Sequence, residues 1–307
     1  MSTIQTAKVP QKKKESIWRG VNRVRISDFV IAFVILILSL TCILPFIHVA
    51  AKSISSNTAV MSKQVYLWPI GINFDAYAAI FRDGQLTYSM GYTVVVTVLF
   101  TLIGMVITVF AAFPLSMKGL KGRSFFALLL MFTMYFSAGL IPEYLLYKDL
   151  HLINTMWVLV LPLAFSPYNM LIMKSFLAST IPDSLYEAAY LDGANHFQIL
   201  GRVVLPLSKP IIATLSLFYA VGRWNGYSDA LMYMKDANFY PLQLLLYNII
   251  NNINSVEVAT QEGFSSPGLS ASLKAAIVMF STIPILCIYP WLQKYFIHGV
   301  TMGAVKE

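Results

Sequence analysis

Glu187-Ala188-Ala189-Tyr190-Leu191-Asp192-Gly193-Ala194, followed, with nine residues between Gly193 and Val203, by Val203-Val204-Leu205-Pro206, is polar, helix-forming sequence set between hydrophobic stretches. Just upstream, Thr180-Ile181-Pro182-Asp183 offers an N-cap hydroxyl, a proline early in the first turn and an acid at the positive end of a helix. The predicted helix carries Leu185, Tyr186, Ala188, Ala189 and Leu191, and the small Ala pair permits close approach by another surface. Gly193 is a natural left-handed terminator. Asn195-His196-Phe197-Gln198 then has the spacing of a capping box, so a second helix is predicted through Ile199, Leu200 and Val203 until Pro206 and Pro210 turn the chain. Two capped helices that present Ala, Tyr and Phe call for a protein partner to cover them. A plain connecting loop is the competing reading.

The sequence on either side is strongly apolar. The 307 residues are 57% hydrophobic and 12% charged, with a mean hydropathy of +0.67, far from the averages of soluble domains. Residues 29–51, 84–117, 124–142, 150–173 and 275–293 lack Asp, Glu, Lys and Arg, and each can cross about 30 Å of hydrocarbon as a helix. A sixth run from Pro210 completes a span only if it continues through Met234, which puts Arg223 and Asp229 against protein or a cavity rather than lipid. The prediction is an all-α membrane protein with six transmembrane helices.

Six spans put both termini on one side. Lys8, Lys12, Lys13, Lys14, Arg19, Arg23 and Arg25 precede the first span, so that side is cytoplasmic by the positive-inside rule. In this orientation the cytoplasmic segments hold 15 of the 22 Lys and Arg and 6 of the 14 acids, a net charge of +9 inside against −1 elsewhere. The overall +8 thus reflects topology, and nucleic-acid binding is a poor inference from it. The 187–206 segment falls on the cytoplasmic side by topology alone.

Residues 1–27 read as a basic amphipathic lead at the membrane surface or as a flexible tail. The first hydrophobic run is too long, and lacks the small-x-small site, for a cleaved signal peptide. Residues 118–123 and 148–155 are tight turns, and 235–270 is a larger outer loop in which Asn248, Asn251, Asn252, Asn254, Glu257 and Glu262 break the apolar pattern. The outer segment from Lys52 to about Asp83 carries Tyr66, Trp68, Phe74, Tyr77 and Phe81, an aromatic density suited to an interface. Cys42 and Cys287 both lie within spans and read as small packing residues. His48, His151, His196 and His298 lack metal-ligand spacing, and no Gly-x-x-x-x-Gly-Lys-Ser/Thr phosphate loop occurs.

The pattern Glu-Ala-Ala, three residues, Gly, nine residues, Ile, one residue, Leu-Pro resembles the signature of binding-protein-dependent ABC importer permeases, with Val203 in place of Ile. Asp192-Gly193-Ala194, Leu205-Pro206-Leu207, Pro210, Trp224-Asn225 and Gly303-Ala304-Val305-Lys306 resemble the carbohydrate-uptake, MalG-like branch. Ser137-Ala138-Gly139-Leu140-Ile141-Pro142 and Pro167-Tyr168-Asn169 are similar to the LplC/YtcP group of oligosaccharide permeases.

The resemblance implies the MetI-like permease fold: a cytoplasmic N-terminal segment (1–28), a permease domain (29–295) with a coupling loop (175–210), and a cytoplasmic tail (296–307). It implies that Glu187, Ala188, Ala189, Asp192, Gly193, Ala194, Leu205 and Pro206 dock on a separate dimeric ATPase that uses ATP and Mg, while this chain binds no cofactor. The tail around residues 303–306 reaches between the ATPase subunits in that picture, with an unordered end as the alternative. A second homologous permease, an extracellular substrate-binding protein, a carbohydrate substrate and the lipid of the cell membrane complete the expected partners. Tyr135, Tyr168, Asn169, Arg223, Trp224, Asn225, Tyr227 and Asp229 lie at membrane depth as candidate pathway residues, with packing or interfacial anchoring as the plainer role for the tyrosines and Trp224. Arg223 and Asp229 are six apart, which does not place them on one helical face. The rivals are a permease for a non-sugar solute, an ion-coupled secondary transporter, which leaves the helix pair unexplained, and a membrane enzyme, for which no catalytic cluster is visible.

Overall fold

The computed structural model describes the backbone of residues 26–261 and 271–304. The basic lead before residue 26, the stretch 262–270 with Glu262, and Val305 and Lys306 of the tail lie outside the described residues. All regular structure among the described residues is helical. In chain order α1 is Ile26–Ser53, α2 Asn57–Met61, α3 Asp75–Asp83, α4 Gln85–Ser116, α5 Arg123–Tyr135, α6 Leu140–Asp149, α7 Met156–Val160 and α8 Pro167–Thr180. Then come α9 Asp183–Leu191, α10 His196–Ile199, a π-helical turn Leu200–Val204, α11 Leu205–Leu207, α12 Lys209–Asn225, α13 Ser228–Tyr233, α14 Leu242–Gln261 and α15 Ala271–Ala304.

The chain divides into two units, residues 1–48 and 49–307. Most of α1 belongs to the first. Its apolar side chains from Phe29 to Ile47 are exposed, and Ser39 and Thr41 donate back to the carbonyls of Ile35 and Ile37, which keeps their hydroxyls satisfied inside hydrocarbon. In the second unit α4 threads three apolar clusters. Met105, Val109 and Phe113 pack with Met170, Met173 and Leu177 of α8 and Leu215 of α12; Val96 packs with α7 and α13; Leu86 packs with Ile80, Leu242 and Ile277. Gly104 lets α4 come this close, because a Cβ there would lie 2.8 Å from the Ala164 carbonyl oxygen and 3.0 Å from the Tyr219 ring. Small residues are how helices gain contact area where lipid supplies no hydrophobic drive.

Three of the six hydrophobic stretches are uninterrupted helix, in α1, α4 and α15. The other three are broken, which hydropathy did not predict. The third is split into α5 and α6, bent by 107° across four residues that include Gly139 at φ 89°. The fourth is split into α7 and α8, and neither half is long enough to cross alone. The fifth does not run through Met234: α12 stops at Asn225, Gly226 is extended, and α13 restarts at Ser228.

Two further expectations are corrected. The outer loop 235–270 contains α14, whose first N–H, that of Leu242, donates to the Thr93 hydroxyl at 2.8 Å. Cys42 and Cys287 are exposed rather than packed, and both are free thiols. Asn154, in the turn between α6 and α7, ties the outer ends together. Its N–H donates to the Tyr233 carbonyl at 3.0 Å, and its Oδ1 accepts from the N–H groups of Lys235 and Asp236 at 2.9 Å each.

Candidate functional site: the helix pair and the Asn169 cavity

The 187–206 segment folds as two short helices joined by a tight corner. Thr180 does not cap α9; it is the last residue of α8, and Pro182, with extended backbone, stands at the N-cap without a side-chain bond. The end of α9 is a Schellman motif. The Asp192 N–H bonds the Ala188 carbonyl, Gly193 bonds Tyr190 and Ala194 bonds Ala189, each at 3.0 Å, with Gly193 at φ 76°. The capping box of α10 is formed: the Gln198 N–H donates to Asn195 Oδ1 and the Asn195 N–H donates to Gln198 Oε1, both at 2.9 Å. The Tyr190 hydroxyl and His196 Nδ1 lie 3.0 Å apart and brace the two helices.

Beyond α10 the backbone widens into the π turn, because Pro206 has no N–H to return to the carbonyl of Arg202. The axis then bends by 82° at Ser208, just before Pro210, another residue without an N–H. The prolines thus act as predicted, although the turn falls between them.

The two faces of the pair differ. Tyr186, Ala189, Ala194, Val203 and Leu205 pack inward on the α4–α8–α12 cluster, while Glu187, Ala188, Leu191 and Phe197 are exposed, Leu191 at 89% and Phe197 at 75%. Ala189, Asp192, Gly193 and Ala194 share a notch of about 330 Å³ with Arg202. Glu187 lines a separate groove of about 880 Å³ with Phe110, Phe113, Lys118, Tyr190 and Phe197. Lys118 and Asp183 close one side of it at 2.5 Å. Burial pushes the pKa of the Tyr186 hydroxyl up, so it stays protonated. The contribution of α4 and Lys118 is not visible in the motif, because they are distant in sequence.

At membrane depth, the helix break after Asn225 brings Arg223 and Asp229 together. Arg223 is 5% exposed; its Nη1 bonds Asp229 Oδ2 and the Leu159 carbonyl (3.1 Å), and its Nη2 bonds Asp229 Oδ1 (3.0 Å) and the Gly226 carbonyl (3.3 Å). The guanidinium carbon stands 5.8 Å from the centre of the Phe100 ring. A direct ion pair, which the spacing along a continuous helix did not provide, therefore exists.

Asn169, Arg223 and Asp229 line one cavity of about 280 Å³. The other candidates lie elsewhere. Trp224 is buried and points its Nε1 at the Ser281 carbonyl of α15; Asn225 donates to the Val221 carbonyl; Tyr227 stacks on Tyr247; Tyr135 and Tyr168 are exposed, at 84% and 57%. Sequence reasoning missed Tyr219, whose buried hydroxyl bonds Thr108 Oγ1 at 2.7 Å and accepts from the Ser166 N–H at 3.2 Å. Its place one turn before Arg223, on the same helix face, was the available signal.

A polytopic helical membrane protein with broken spans, a buried intramembrane ion pair and an exposed, doubly capped helix pair defines a transporter permease subunit. The chain belongs to the family described as the binding-protein-dependent transport system inner membrane component, which matches residues 88–302. It is an ABC importer permease, a membrane component rather than a catalytic subunit. It is 40% identical to the polygalacturonan/rhamnogalacturonan transport system permease protein YtcP of Bacillus subtilis, over 92% of this chain and 99% of that one. It is 37% identical to Protein LplC of the same organism, over 86% and 89%. A solved bacterial ABC transporter involved in the import of the acidic polysaccharide alginate contains a chain that matches with a TM-score of 0.81 and 34% identity, covering 90% of this chain and 98% of that chain.

Proposed function

We propose that this chain is one of two permeases that together form the translocation pathway of an ATP-driven importer for an oligosaccharide. The substrate reading rests on the relatives, whose names include polygalacturonan/rhamnogalacturonan transport and melibiose/raffinose/stachyose import. An extracellular binding protein delivers the sugar, and a separate dimeric ATPase consumes ATP and Mg. The observation that carries the coupling assignment is the α9–α10 pair, with its own framework of caps and its exposed Glu187, Ala188, Leu191 and Phe197. In this reading Glu187, Ala188, Ala189, Asp192, Gly193 and Ala194 receive the ATPase, and the inward packing of Ala189, Ala194 and Leu205 passes its motion to α4, α8 and α12. Pro206 and the bend at Ser208 turn that motion into the membrane. Asn169, Arg223 and Asp229 line the pathway, and both termini are cytoplasmic.

The test is co-purification from membranes. A tagged chain should bring down an ATPase, a sister permease and a glycan-binding protein together. Recovery of a fully active transporter without an ATPase would favour an ion-coupled carrier instead.

A further inference from the structure

The cavity beside the α12–α13 break has three buried polar side chains in its wall: Tyr219, Arg223 and Asn169. Two are satisfied within the protein. Tyr219 bonds Thr108 and the Ser166 N–H, and Arg223 places both Nη groups on Asp229 and on the carbonyls of Leu159 and Gly226. Asn169 is different. It is 7% exposed, and its backbone N–H is taken by the Ser166 hydroxyl at 3.3 Å, but its side-chain amide has no hydrogen-bond partner among the described residues. The amide therefore opens on the cavity, where its donors and acceptor can meet water or a bound molecule.

We propose that Asn169 is the sugar-hydroxyl contact of this pathway, reading one sugar unit, while the Arg223–Asp229 pair is a positioning bracket that does not touch the sugar. A planar amide offers one acceptor and two donors, which suits neighbouring hydroxyls on a ring. Phe100 and Phe218 supply apolar surface in the same wall. At about 280 Å³ this chain's side of the space is wide enough for a sugar ring to lie against the amide. The Arg223 charge is already matched by Asp229, so this wall selects hydroxyls and offers no free cation to a carboxylate. The bracket fixes the α12–α13 break, and through the Leu159 carbonyl it fixes α7, which holds the cavity open beside Asn169.

This inference rests on the carbohydrate reading above, and one experiment separates the two. The assembled transporter, with its ATPase, sister permease and binding protein, is reconstituted in proteoliposomes and offered labelled galactotriose and labelled trigalacturonate. The wild type should accumulate at least one. Asn169→Leu, which keeps the number and branching of side-chain heavy atoms and removes the amide, should lower kcat/KM for it by about three- to tenfold, the worth of one or two neutral hydrogen bonds. Asn169→Asp, which keeps an acceptor, should fall between. Asn169→Leu should melt within error of the wild type, because no bond within the protein is lost. Unchanged kinetics in Asn169→Leu would overturn the proposal and leave the carbohydrate reading standing. A lowered melting point with unchanged KM would overturn it too, since the amide would then be structural. If an assembled, ATP-hydrolysing wild type takes up neither sugar, the carbohydrate reading falls and this proposal with it.

Discussion

Arg223 shows how a single residue can shape the membrane interior. A guanidinium at this depth is expensive, and the helix break at Gly226 offsets that cost by delivering Asp229 and the Gly226 carbonyl to it, while α7 supplies the Leu159 carbonyl. Removing only the acid leaves an uncompensated buried charge. Asp229→Ala should therefore destabilise the solubilised protein by about 3–5 kcal/mol, read as a lower thermal midpoint. The double variant Arg223→Met with Asp229→Leu should recover most of the loss; a double variant as unstable as the single one would show that the break, not the pair, carries the stability. Both charges were legible in the sequence as interruptions of an apolar run, but their pairing was not, because six-residue spacing separates two side chains on an unbroken helix. Gly193 is a second case. A Cβ there meets nothing within 4 Å, so the only obstacle to a side chain is the backbone at φ 76°. Gly193→Val should cost at least about 1–2 kcal/mol locally and abolish ATP-driven uptake while the protein still inserts, and Gly193→Asn should be the milder change. Normal uptake by the valine variant would sink the coupling assignment.

At the scale of elements, the helix pair was the most legible part of the fold. Gly193 as terminator and Asn195 to Gln198 as a box are local chemistry, and local chemistry needs no knowledge of the rest of the molecule. The start of α9 was misread because Thr180 is claimed by α8, so the capping signal belonged to a residue already in a helix. The breaks in the third, fourth and fifth hydrophobic stretches were invisible for another reason: hydropathy reports how apolar a segment is, not which way it runs. The 107° bend between α5 and α6 and the 82° bend at Ser208 leave the apolar count unchanged. Likewise α14 was hidden because its asparagines broke the apolar pattern without breaking the helix. Asn195→Ala removes one half of the capping box and should cost about 1 kcal/mol, or roughly a fivefold loss of amide-exchange protection over residues 196–199. Equal exchange in both proteins would mean that packing on α4 and α8, not the cap, holds α10.

At the scale of the whole molecule, the exposed apolar surface of α1 and of the outer faces of α4 and α15 needs cover from lipid or from another subunit. In the function proposed above, the polar wall around Asn169 serves the substrate and the exposed face of α9–α10 serves the energy source, and α4, α8 and α12 link the two. The candidate pathway was only partly legible. Of the eight residues that carry suitable chemistry at membrane depth, the fold gathers Asn169, Arg223 and Asp229 while turning the others to packing or to the surface. Which side chains converge depends on helix rotation and on the breaks, neither of which a sequence displays. The claim at the centre is that α9–α10 is where another protein's ATP hydrolysis enters this one. It is tested most directly by replacing exposed Ala188 with cysteine, in a background lacking Cys42 and Cys287, and cross-linking the assembled, active transporter. The account predicts a product between this chain and the ATPase subunit, absent when the cysteine is placed instead at Tyr66 on the outer segment. An active transporter that cross-links to its ATPase from Tyr66 and not from Ala188 would contradict it.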